Sequence, residues 1–106
     1  MNQKDAIAKY LPMTETSFFI LLATQVEIHG YGIMKQTKLA TKGEIIIGAG
    51  TIYNTLAKME TDGLITVTHA MENKKLYLTT DLGTAILMLE KARLARNLTI
   101  VNALKG

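Results

Sequence analysis

Gly48-Ala49-Gly50-Thr51-Ile52-Tyr53-Asn54-Thr55-Leu56-Ala57-Lys58-Met59-Glu60-Thr61-Asp62-Gly63-Leu64-Ile65 reads as one short helix with punctuation at both ends. Gly48 or Gly50 can open it, since glycine is an acceptable N-cap. Gly63 closes it, because the residue just past a helix end often takes a positive φ that glycine adopts at little cost. Between them Ile52, Leu56 and Met59 share one face at helical spacing. Thr51, Asn54, Lys58 and Thr61 share the opposite face, and all four can donate hydrogen bonds. A helix buried along one stripe and donor-rich along the other suits docking in the major groove of DNA. The same spacing also fits a surface helix with a solvated polar face, so the flanking sequence must decide.

Immediately upstream, Glu44-Ile45-Ile46-Ile47 is glycine-bounded and β-branched and predicts a short strand. Before it, His29-Gly30-Tyr31-Gly32 signals a turn. A helix follows over about Gly32 to Ala40, with Ile33, Thr37 and Ala40 in one stripe and Lys35 and Lys38 pointing away; Lys42-Gly43 ends it. Further back, Thr14 or Thr16 can cap a helix with Glu15 in its first turn. That helix runs to about Ile28, and its apolar residues, Phe18 to Ala23 with Val26, cover nearly every side, as expected of a central helix. Residues 1–11 carry a weaker helical pattern that Pro12 interrupts.

Downstream, Leu64 to Ala70 predicts a strand with Ile65, Val67 and His69 on one side and Thr66 and Thr68 on the other. Met71 to Lys74 is a turn, and Lys75 to Thr79 the return strand. Thr80 caps a last helix from about Asp81 to Leu104. The predicted fold is therefore mainly α with a small β-hairpin wing. A winged helix-turn-helix occupies residues 1–80, and a long C-terminal dimerisation helix occupies 81–106. The short strand is expected to pair beside the hairpin.

The last helix carries more apolar residues than one domain can hide. Leu82, Ile86 and Leu89 form one stripe; Leu87, Leu94, Leu98 and Val101 form a second at about seven-residue spacing, with Ala85, Ala92 and Ala95 between. One stripe can face the winged domain and the other a second subunit.

Three motifs resemble the PadR-type transcriptional regulators. His29-Gly30-Tyr31-Gly32-Ile33 followed by Lys35 is similar to that family's "HGYGI-x-K" opening. Gly50-Thr51-Ile52-Tyr53 with Leu56, Met59, Glu60 and Gly63-Leu64-Ile65 is similar to its "GTLY-x-x-L-x-x-LE-x-x-GLI". Leu76-Tyr77 and Thr80-Asp81-Leu82-Gly83 resemble its strand-to-helix junction. The resemblance covers roughly residues 11 to 83. It implies a winged-helix DNA-binding repressor, homodimeric through the C-terminal helix and released from DNA by a small apolar molecule. It also implies that the Tyr53 hydroxyl meets a phosphate. The chain departs from the pattern at the wing, whose tip is only Met71-Glu72-Asn73-Lys74-Lys75, and at Leu78, where an arginine is common. No arginine precedes Arg93. Arginine is the commonest bidentate reader of guanine, so base readout falls to Thr51, Asn54, Thr55, Lys58 and DNA shape.

Phosphate contacts fall to Tyr31, where the second helix opens, and to Lys35, Tyr53, Lys58, Lys74 and Lys75. Between the C-terminal helices of a dimer, Phe18, Phe19, Met88, Ala92 and Ala95 could line an effector pocket. A dimer binds a pseudo-palindromic duplex operator. The alternative is a winged-helix protein-interaction module without DNA binding, which the short wing and the missing arginines favour.

The 106 residues, 48% hydrophobic and 20% charged, fit one folded domain. A net charge of +3 permits a nucleic-acid partner. The absence of cysteine excludes disulfides, Cys-based zinc sites and thiol catalysis. Two lone histidines, His29 and His69, make a poor metal site, and Ser17 is the only serine, so neither a cofactor nor an enzymatic activity is expected. The first ten residues carry no signal-type apolar run, and none of the apolar runs is long enough to span a bilayer; a cytoplasmic protein with no membrane partner is expected.

Overall fold

A computed structural model describes residues 1–104; the last two residues of the 81–106 segment lie outside the described residues. Five helices and one hairpin follow in order: α1 Gln3–Tyr10, α2 Glu15–Ala23, α3 Gly30–Ala40, α4 Ala49–Thr61, β1 Ile65–Met71, β2 Lys74–Thr79 and α5 Asp81–Ala103. Polar side chains open four of the helices: Asn2 accepts from the Asp5 N–H, Thr14 from Ser17, His29 from Gly32 and Thr80 from Gly83. Gly63, at φ 84°, turns the chain out of α4.

The core sits where α2, α3 and α4 meet under the hairpin. Ile20, Leu21, Ile33, Ile52, Leu56, Met59, Leu64 and Ile86 are fully buried in it. The predicted stripe of α4 is thus the inner face. On α3, Gly30, Ile33 and Thr37 face inward, whereas Ala40 is exposed because the chain turns away through Lys42 and Gly43, both at positive φ.

Two backbone predictions are corrected. The segment Glu44–Ile47 forms no strand, and α2 stops at Ala23 instead of running to Ile28. Both have one cause. The outer edge of β2 is taken by the chain leaving α2: Ile28 and Tyr77 exchange backbone hydrogen bonds of 3.2 and 2.8 Å, and the Thr79 N–H donates to the Thr24 carbonyl at 2.8 Å. The Thr24 hydroxyl donates back to the Ile20 carbonyl at 2.8 Å and lies 2.6 Å from the Thr79 hydroxyl. This satisfies the buried polar end of α2 and redirects it. Residues 44–47 join no ladder; Ile47 is buried, and the Ile45 N–H donates to the Thr41 hydroxyl.

The hairpin is antiparallel, with Ile65 opposite Thr79 and Met71 opposite Lys74 around a Glu72-Asn73 turn. Its register slips between Val67 and His69, where Thr68 is the extra residue. The slip breaks the expected alternation: His69 is exposed and pairs with Glu27 at 3.2 Å.

Helix α5 packs on α1, α2 and β2. It starts hard against the sheet: a Cβ on Gly83 would overlap the Leu64 carbonyl oxygen, so only glycine permits this approach. Gly83, Ile86, Leu87 and Glu90 form the inward face. Leu87, grouped by spacing with Leu94, Leu98 and Val101 at a subunit contact, is buried in its own domain, and Leu89, expected to face inward, is 38% exposed. The helix rotates its inward face by the true 3.6-residue period, which a seven-residue spacing does not follow. Beyond residue 90 every described α5 residue is exposed except half-buried Arg93 and Asn97.

Candidate nucleic-acid interface

Thr51, Asn54, Lys58 and Thr61 are all exposed on α4, opposite the buried Ile52, Leu56 and Met59. The N-terminus of the same helix is open. Gly48 caps it without a side-chain hydrogen bond, no acidic residue lies in the first turn, and nothing stands within 4 Å of where side chains on Gly48 and Gly50 would be. The first backbone N–H groups of α4 therefore have no side-chain cap, and the positive end of the helix dipole lies behind them. That is the chemistry of an anion site, here placed beside Thr51 and Asn54, with Lys58 and Thr61 further along the same face.

Thr55 sits differently from its neighbours. It is half-buried, and its hydroxyl donates to the Thr51 carbonyl at 2.8 Å. The proton is spent on the helix, which leaves Thr55 an acceptor only. Asn54 keeps a free amide, with one donor and one acceptor edge.

Tyr53 is held by both packing and exposure. A Cβ on Gly30 would lie 2.6 Å from its ring, so the ring rests directly on the backbone at the start of α3. Half of the side chain remains exposed. Tyr31, 63% exposed, extends from the same α3 turn, where His29 accepts the Gly32 N–H at 3.3 Å. Lys35 and Lys38 are exposed further along α3.

Between these helices and the hairpin lies a cleft of about 950 Å³. Tyr31, Tyr53, Ala57 and Glu60 line one side, and the hairpin tip from Ala70 to Lys75 the other. Tyr77 is also part of its lining, and burial raises its phenol above the ordinary value. Lys74 and Lys75 are exposed on the tip, but Glu72 stands at its apex and Glu60 faces it. The cleft's charge is mixed, whereas the outer face of α4 presents Lys58 as its cation.

At its other end α4 is tied down by groups that stand outside the sequence motifs. The Asp62 carboxylate accepts from Lys9 Nζ at 2.7 Å and from the Tyr10 hydroxyl at 2.5 Å. Burial pushes this carboxyl up, but the hydrogen bonds and charge of Lys9, with the Tyr10 hydroxyl, outweigh it and hold the group below the ordinary carboxylate range. Burial, together with Asp62, drives the Tyr10 phenol far up. A signal was present: an acidic residue at a helix C-terminus opposes the dipole, and so asks for a cation.

The residues grouped as an effector pocket are only partly assembled in one chain. Phe18 and Phe19 are half-buried in an edge-to-face pair 5.2 Å apart, while Met88, Ala92 and Ala95 are exposed on α5. Leu94, Leu98 and Val101 are 43%, 61% and 59% exposed, and Leu22 and Val26 add exposed apolar area on and just beyond α2. Nearby, Glu90 is buried and forked by Arg93 through two bonds of 2.8 and 2.7 Å, and it also accepts the Met13 N–H at 3.2 Å. Arg93 chiefly holds the Glu90 carboxyl below its ordinary value, and Glu90 in turn raises the guanidinium. Among the described residues no helix is long and apolar enough to cross a membrane, and no three His, Asp or Glu side chains gather as a metal site would need.

Comparison with known proteins bears on this geometry. A family profile described as "Transcriptional regulator PadR-like family" matches residues 19–88. No curated protein matches the sequence. Among solved structures, a PadR family transcription regulator from Clostridium difficile superposes with a TM-score of 0.71 at 22% identity, over 88% of this chain and 100% of that one. A PadR-like transcriptional regulator from Bacillus cereus is 26% identical, with a TM-score of 0.66 over 96% of this chain and 97% of that one. A transcriptional regulator from Clostridium thermocellum gives 0.70 at 21% identity, over 93% and 96%.

Proposed function

The chain belongs to the PadR-like family of transcriptional regulators, and from that premise we propose that it is a dimeric repressor that binds a pseudo-palindromic operator through α4. The observation that carries this reading is the outer face of α4. It joins an uncapped, glycine-flanked N-terminus to exposed Thr51, Asn54 and Lys58. Backbone N–H groups and Lys58 meet phosphates, and Asn54 meets base edges. Tyr31, Lys35 and Tyr53 add phosphate contacts from the α3 side, and Lys74 and Lys75 from the wing. Thr51 and Thr55 have shorter reach, and Thr55 serves as an acceptor.

Dimerisation is supported by the bare half of α5. Leu94, Leu98 and Val101 lie exposed together with Ile100 and Leu104. Contiguous apolar area of this kind marks an interaction surface. Repression follows from occupancy of the operator. Release by a small apolar effector is placed at Phe18, Phe19, Met88, Ala92 and Ala95, which a second α5 would help enclose. A protein-interaction role without DNA is the second reading, favoured by the acidic apex of the wing and the absence of arginine before Arg93.

Selection from a random duplex pool, followed by titration at several salt concentrations, tests the proposal. Binding falls steeply with salt if phosphates supply the affinity, and hardly at all if the contact is an apolar one with protein. Asn54→Ala is expected to cost about 1–3 kcal/mol on the selected operator and much less on unrelated duplex. Lys58→Ala and Lys35→Ala are each expected to flatten the salt slope by about one unit, and Tyr53→Phe to weaken all duplexes alike. An unchanged operator-to-unrelated affinity ratio for Asn54→Ala removes Asn54 from readout.

A further inference from the structure

Helix α4 is connected to α5 at two separate places. The first is direct. The Thr80 N–H donates to the Leu64 carbonyl at 3.0 Å, and the Thr80 hydroxyl to the Gly63 carbonyl at 2.5 Å, so the start of α5 is pinned to the turn that ends α4. Gly83 lets the two backbones touch. Burial of Ile86 and Leu87 against α2 and the hairpin adds apolar packing to this joint, but apolar packing is non-directional and sets an angle only loosely. The second connection is indirect and runs through α1. Lys9 and Tyr10 hold Asp62, the residue that caps the C-terminus of α4. Three residues on from Tyr10, the Met13 N–H donates to Glu90 on α5, where Arg93 fixes the carboxylate. Ala6 is fully buried in the body of this brace, and α1 packs on α5. Gly83 and Glu90 are two helical turns apart, about 10 Å along the axis at 1.5 Å per residue. Two attachments at that separation, joined through the C-terminal end of α1 and the short Leu11-Pro12 link that follows it, add a directional tie between α4 and α5.

We propose that α1 is a strut, with Lys9, Tyr10 and Asp62 as positioning residues that fix the angle between the recognition helix and α5. The consequence at DNA rests on the reading above: in a dimer joined through α5, this angle sets the separation of the two α4 helices, and hence the half-site spacing that the protein accepts. None of the three residues needs to touch DNA for this.

The absence of cysteine makes the angle directly measurable. Thr51 and Lys91 are exposed on α4 and α5, so Thr51→Cys with Lys91→Cys accepts two spin labels. Labelled chain diluted in unlabelled chain reports the distance within one protomer by electron double resonance. The parent is expected to give one narrow distance distribution. Lys9→Ala and Asp62→Asn should shift or broaden it, and Lys9→Arg should restore it, all at temperatures where circular dichroism shows the chain folded. Lys9 is half exposed, so its replacement leaves a folded protein even if Asp62→Asn does not. An unchanged distribution in Lys9→Ala overturns the strut. This measurement needs no DNA, so its failure is separate from that of the DNA reading. On operators of varied half-site spacing, Lys9→Ala should bring the affinity ratio between preferred and altered spacings toward one. An equal loss at every spacing assigns Lys9 to general binding and overturns its positioning role.

Discussion

The two halves of α5 obey opposite rules. From Asp81 to Glu90 the helix lies against its own domain so closely that a methyl group at Gly83 has no room, and Ile86, Leu87 and Glu90 are buried. From Lys91 to Ala103 it touches little, and leucine, isoleucine and valine stand in solvent. Composition does not separate the halves, because both are rich in apolar residues at helical spacing. The difference lies in contact: the first half is buried in its own fold, and the second is exposed. Glu90 and Arg93 mark the boundary, a charged pair where the apolar interior stops.

The contrast makes the outer half the place to look for the largest effect on assembly. In the proposed dimer, Leu94→Glu with Leu98→Glu would remove two leucines from each side of the two-fold contact. At about 1.5 kcal/mol or more for each buried leucine, the dissociation constant should rise by about four powers of ten or more, and sedimentation should find monomer. Helix content should stay near that of the parent. A monomeric parent at micromolar concentration would remove the contrast altogether.

The inner half should show its effect in folding. An exposed glycine changed to alanine inside a helix gains about 1 kcal/mol. At Gly83 the sign reverses, because the new Cβ meets a backbone oxygen that cannot yield without moving β1. Gly83→Ala is expected to destabilise by about 3 kcal/mol, the upper part of the range for overpacking, as read from denaturant midpoints. A stabilised variant would mean that the two backbones are not in contact.

The smallest of the three effects concerns the boundary pair together with Asp62. Both carboxyls sit below their ordinary values of 4.5 and 3.8 in the folded chain. Their contribution is therefore complete above those values and is lost as pH falls through the lower, folded ones. Acid titration of stability should show a loss that begins below about pH 4.5. Glu90→Gln should reduce that loss in part, and an unchanged acid limb would show that Glu90 does not contribute to it.

What could be read in the chain beforehand follows the same division between local and distant causes. Helix α4 was legible to within a residue, because its glycines, its buried triplet and its exposed donors are all local signals. The hairpin and the Thr80 cap were legible for the same reason. The strand expected at residues 44–47 was not formed, because β-branched residues favour an extended chain but do not name its partner; Ile28 already occupied that edge. The spacing of α5 puts Leu87 on the outer stripe whereas it is buried, since a stripe shows periodicity and not which neighbour it meets. At the candidate site, the exposure of Thr51, Asn54 and Lys58 could be read, but the spent hydroxyl of Thr55 and the seat of Tyr53 on Gly30 could not. The Asp62 anchor spans 52 and 53 residues of sequence, and the Met13–Glu90 bond spans 77. No local pattern carries such pairings.

The seat of the Tyr53 ring on Gly30 has a thermodynamic consequence. A side chain that must be immobilised on binding subtracts roughly 0.5–1.5 kcal/mol from the affinity it provides. Tyr53 has already lost part of that freedom when the chain folds, since the hydroxyl end of its ring lies against the backbone of α3 at Gly30 while half of the residue stays exposed. Any anion it meets therefore encounters a group that is already partly aimed. That part of the entropy has been given up in folding, where the whole core shares the loss, and the bound state keeps more of the strength of the hydrogen bond.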